Sequence, residues 1–133
     1  MRWMVFVAAC LAGPAAAQDL LFFRSPSGNI NCMIATGDWA EARCDVMDLT
    51  MSFRKQPPDC DLDWGHAFAV GPTGPGTPAC VGDTVRDAGS LVLDYGKSVS
   101  LAGFTCTSER TGMTCVNREG HGFSVAHAAQ IVF

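Results

Sequence analysis

The chain has 133 residues, 48% of them hydrophobic, with 9 basic side chains against 13 acidic ones and a formal net charge of −4. That length suits one domain able to own a hydrophobic core. An acidic balance argues against nucleic-acid backbones or anionic lipid as the main partner, and leaves neutral and basic partners open.

Residues 1–17, MRWMVFVAACLAGPAAA, have the three parts of a secretory signal. Arg2 forms a short charged region, Trp3 to Leu11 an apolar run, and Ala15-Ala16-Ala17 a cleavage site before Gln18. The apolar run is shorter than the roughly 20 residues that a membrane span needs. The expected mature chain is therefore a single exported β domain over residues 18–133, without a membrane anchor. A rival reading takes VAAC at 7–10 as resembling a bacterial lipobox, with Cys10 lipidated as the first mature residue.

Cys32, Cys44, Cys60, Cys80, Cys106 and Cys115 remain after that cut. An even set in an exported chain reads as three disulfides made in the periplasm or outside the cell. Strand pattern selects the pairing. DLLFFRS is a short apolar strand ending at the turn SPSG, with Pro26 at its second position and Gly28 at its fourth. In NINCMIATGDWAEARCDV, opposing Cys32 to Cys44 also opposes Ile30 to Val46 and Ile34 to Ala42. Cysteines and apolar residues then share one face of a hairpin.

DLTMSFRKQ is ambiguous between strand and short helix. In PPDCDLDWGHAFAVG, alternation places Cys60, Leu62, Trp64, His66, Phe68 and Val70 on one strand face, with Asp59, Asp61 and Asp63 on the other. The aspartates resemble the start of a calcium loop, but Trp64 stands at the glycine position and Val70 where a bidentate Glu is required. They read as a solvated acidic face, with a cation site as the alternative. His66 reads as a buried histidine hydrogen-bonded to backbone.

GPTGPGTP is a loop, GSLVLDYG a strand between glycines, and FTCTSERTGMTC a second hairpin. Opposing Cys106 to Cys115 leaves Arg110 and Thr111 at its tip, with Gly112 free to take a positive φ. Cys60 and Cys80 pair by elimination. NREGHGF is a turn into the strand HGFSV, VAHAAQ at most one turn of helix, and QIVF a strand closing a sheet edge. The expected fold is all-β: a small, single-domain, disulfide-stapled antiparallel sandwich or barrel-like sheet.

No nucleophile elbow is present, no cysteine is left to attack or ligate, and the three histidines lack a zinc spacing. No cofactor or metal is called for. The glycine-flanked turn holding Asn117, Gly120, His121 and Gly122 is the candidate recognition loop, because a turn mounted on a stapled hairpin is rigid.

FRSPSGNINC, CDLDWG, GDT, LDYG and FTCTSERTGMTCVNREGHGF resemble, in that order from Phe22 to Phe123, a family of small exported bacterial proteins of unknown function. The resemblance implies an extracytoplasmic, disulfide-containing domain and transfers no catalytic residue. Two functions follow as expectations. One is a non-enzymatic periplasmic or secreted binding module for an unidentified protein or cell-envelope component. The other is a small hydrolase using His121 with an aspartate or a bound metal.

Overall fold

The computed structural model describes residues 19–133. The expected signal segment and Cys10 lie outside them. Among the described residues eleven strands form: β1 Leu20–Arg24, β2 Ile30–Ala35, β3 Glu41–Val46, β4 Ala67–Val70, β5 Thr77–Pro78, β6 Leu91–Val92, β7 Ser98–Leu101, β8 Phe104–Glu109, β9 Gly112–Val116, β10 Gly122–Val125 and β11 Gln130–Val132. They make two open sheets, β5-β4-β3-β2-β1-β6 and β11-β10-β9-β8-β7. Of the two architectures expected, the chain adopts the sandwich. No helix among the described residues is long and apolar enough to cross a membrane.

Both stapled hairpins take the expected register. Cys32 faces Cys44 between Ile30↔Val46 and Ile34↔Ala42. Cys106 faces Cys115, and Glu109 faces Gly112, whose φ is 136°. The disulfides are Cys32–Cys44, Cys60–Cys80 and Cys106–Cys115. Directly opposed cysteines on neighbouring strands point the same way, so the two hairpin bridges both enter the core. They meet there: Cys44 Sγ lies 3.7 Å from Cys115 Sγ, one bridge from each sheet.

Around this sulfur contact lie Phe23, Phe68, Phe104 and Phe123, all essentially inaccessible. The rings of Phe68 and Phe123 stand 6.4 Å apart across the interface, and Phe53 meets Phe68 edge-on at 5.8 Å. Burying each such side chain is worth roughly 1.5–3 kcal/mol, close to the roughly 2–4 kcal/mol of one disulfide. Aromatic packing and sulfur staples therefore contribute on the same scale, as suits a short chain.

Three segments depart from expectation. The strand expected from Cys60 shrinks to Ala67–Val70 because Gly65 takes φ 91°, a conformation closed to extended L-residues, where a Cβ would meet Phe53 O at 2.8 Å. Upstream of that break the chain is irregular, pinned by the paired backbone bonds of Asp63 and Val81. Leu62 is exposed, and so are the three aspartates. The segment 90–96 contributes only Leu91–Val92, running parallel to β1 against an otherwise antiparallel sheet. KSVSLAGF, with no turn signal of the usual kind, forms a hairpin with β8 through Ala102 and Gly103 at φ 53° and 85°. Positive φ at both turn residues matches the twist of the paired strands.

Candidate functional site

Turns alternate between the two ends of an antiparallel sandwich, so side chains distant in sequence meet there. At one end the β1–β2 turn, the β8–β9 tip, the turn before β7 and the β10–β11 turn enclose a cleft of about 300 Å³. Its wall from the first sheet is the SPSGN turn. Gly28 N donates to Ser25 O at 2.9 Å, and Gly28 takes φ 76°. Ser25 Oγ accepts from Ile30 N, Ser27 Oγ accepts from Asn29 N, and the two hydroxyls are 3.1 Å apart. Short polar side chains bonding their own turn in this way hold it in one shape.

Asn29 continues the wall. Its Nδ2 donates to Asp48 O at 2.9 Å, and its Oδ1 accepts from Asp48 N at 2.8 Å. Asp48 O also receives His127 Nδ1 at 2.9 Å. A carbonyl only accepts, so Nδ1 carries the proton and Nε2 is the other, uncommitted ring nitrogen. Beneath this turn Gln130, 2% exposed, donates to Thr50 O and Ala126 O and accepts from Ser52 N. From the second sheet come Glu109, Arg110 and Thr111, with the Arg110 guanidinium 5.1 Å over the Tyr95 ring. Tyr95 is placed by the bonds of Gly96 N to Ser108 O and Ser108 N to Lys97 O. The cleft thus offers one cation, one anion, an aromatic ring, an imidazole and hydroxyls on hydrogen-bonded walls.

The NREGHGF loop sits elsewhere. It leaves the far end of β9, while Gly112 at the near end lines the cleft. Asn117 is buried and acts as a clamp: Nδ2 donates to Gly71 O and Gly74 O, and Oδ1 accepts from Glu119 N and His121 N. Gly120 turns the chain at φ 79°. Gly122 is buried, and a Cβ there would overlap Cys115 O. His121 is half-buried and lines neither the cleft nor the two cavities described below.

A second cavity, about 350 Å³, opens on the outer side of the first sheet, lined by Asp45, Asp63, His66 and Asp83 among others. His66 is therefore at a cavity wall and not in the core as expected. Adjoining it is an ion cluster that sequence reasoning missed. Arg43 binds Asp45 in a fork, Nε to Oδ1 at 2.9 Å and Nη2 to Oδ2 at 3.1 Å, and reaches Asp83 through Nη1 at 2.9 Å. Arg43 and Asp45 are 6% and 1% exposed. The residues 83–85 cover them, with Val85 N donating to Asp45 Oδ2. The Arg43 hydrogen bond holds the Asp83 carboxyl below its ordinary range. Burial pushes Glu41 up, against the opposing pull of Arg43 and with a further push from Asp83. Among the described residues no three His, Cys, Asp or Glu side chains converge as metal ligands.

The chain belongs to DUF6636, a family of unknown function, which matches residues 4–133. No curated protein and no solved structure matches it. In this DUF6636 chain the end cleft brings together the most varied side chains of the three cavities.

Proposed function

We propose that this DUF6636 protein is an exported, non-enzymatic binding module, working in the periplasm or after secretion, that recognises a protein or cell-envelope component through the end cleft. Three disulfides support an oxidising compartment. The observation that carries the binding reading is the convergence of Tyr95, Glu109, Arg110 and His127 at one cleft whose walls are pinned by hydrogen bonds. Preorganised polar walls around an aromatic and an arginine are what recognition uses, since little side-chain freedom is lost on binding. The hydroxyls of Ser25 and Ser27 bond each other and the turn, and no hydrogen bond joins either to the imidazole of His127.

The test uses the oxidised mature chain immobilised and challenged with envelope extract. Saturable retention of a component, reduced at least about tenfold in Arg110→Ala and unchanged in His121→Ala, supports the cleft; equal retention by both variants removes it. Turnover of an ester, amide or glycoside that disappears on replacing His121 or His127 would instead establish a hydrolase.

A further inference from the structure

On the other side of the SPSGN turn lies a separate cavity of about 270 Å³, lined by Arg24, Gly28, Asn31, Arg86, Asp87 and Ala88. Two arginines line this one cavity, in a chain whose acidic side chains outnumber the basic ones. Among the described residues neither Arg24 nor Arg86 lies within ion-pair distance of a carboxylate. Two cations placed together without a carboxylate bound to either repel each other, and an anion between them relieves that repulsion.

The groups are also held in place. Arg24 Nη1 donates to Ser90 O at 3.0 Å and to Ser90 Oγ at 2.6 Å, which fixes the guanidinium plane and leaves the Nε and Nη2 hydrogens for a ligand. Asn31 is 2% exposed, and one N–H of its amide is bound to Gly28 O at 3.0 Å, leaving the second. Arg86 is exposed and brings five further donors on a flexible stem. Asp87, whose Oδ2 accepts from Gly89 N, offsets one of the two positive charges. The lining therefore carries a net single positive charge and planar forks of donors, which is the complement of one carboxylate.

We propose that this cavity is a carboxylate-binding site, with Arg24 as the fixed half of the clamp and Arg86 as the half that closes on the ligand. It stands apart from the end cleft and does not depend on the reading given above. Only the turn is common to both: Ser25, Ser27 and Asn29 face the cleft, and Gly28 and Asn31 line the arginine cavity.

The experiment is an amide-resolved NMR titration of the oxidised mature protein with acetate, with inorganic phosphate, and with chloride at matched ionic strength. Acetate should give saturable shifts at Gly28, Asn31 and residues 86–88, with none of that pattern from chloride. Arg86→Ala should weaken acetate binding about tenfold or more with an unchanged melting temperature, and Arg86→Lys should recover only part of it, because an ammonium lacks the fork. Arg24→Ala also removes the tie to Ser90, so the decision rests on Arg86. Shifts that fail to saturate, or that match in wild type and Arg86→Ala, overturn the site. Saturation by phosphate without acetate overturns the carboxylate assignment. Loss of partner capture in Arg110→Ala with acetate binding intact would leave both sites standing, and the converse failure of acetate alone would leave the cleft untouched.

Discussion

Replacing Arg43 by Met separates the two carboxylates that share its guanidinium. Asp45 is buried at 1% exposure, whereas the Asp83 side chain is 77% exposed. Removing the arginine strands a buried charge, which costs about 3–5 kcal/mol. Removing Asp83 takes away a bond in water-screened surroundings, worth at most about 1 kcal/mol. With a urea slope near 1.5 kcal/mol/M, Arg43→Met should lower the unfolding midpoint by roughly 2–3 M and Asp83→Ala by well under 1 M. The double variant Arg43→Met/Asp45→Leu should regain a large part of the loss, because the uncompensated charge is gone. It stays below wild type since Val85 N then lacks its acceptor, about 1–3 kcal/mol. The assay is equilibrium urea unfolding of the oxidised protein by fluorescence and circular dichroism. Equal midpoints for Arg43→Met and Asp83→Ala would refute the burial argument.

The glycine and not the histidine should matter in GHG: Gly122→Ala forces a Cβ into Cys115 O and should lower stability by several kcal/mol, while His121→Ala stays within about 0.5 kcal/mol of wild type, both by thermal melting. Glu41 and Asp83, both near Arg43, should respond to pH with opposite signs. Asp83 is depressed in the folded state, so its contribution is present above the unfolded value and lost as pH falls through the folded one. Glu41 is raised by burial, so its penalty appears as pH rises through the unfolded value. Glu41→Gln should therefore gain on wild type as pH rises through and above the ordinary carboxylate range, and the deficit of Asp83→Asn should disappear as pH falls below that range, in melts at fixed salt.

Much of the fold was legible because local rules act on neighbours in sequence. Opposed cysteines, period-two burial and a turn of suitable length determined each stapled hairpin and its register, and elimination then paired Cys60 with Cys80. The short β7–β8 hairpin was missed because its turn uses Ala102 at φ 53°, where composition announces nothing. The strand expected through Trp64 was over-extended because alternation continues in the letters across Gly65, while the backbone turns there to approach Phe53 O.

The sites divide differently. Chain chemistry alone determined that SPSGN, SERTG and NREGHGF are turns, because glycine, serine and asparagine bond or bend locally wherever they sit. Which turns share an end of the sandwich was decided by how the sheets stack, with Cys44 against Cys115 and Phe68 against Phe123. That stacking brings His127, not His121, beside Tyr95 and Arg110, and residues 83–85 bury the outward-facing Arg43 and Asp45. The contacts between the sheets join residues tens of positions apart, and their energy comes from apolar surface removed from water only once both sheets exist.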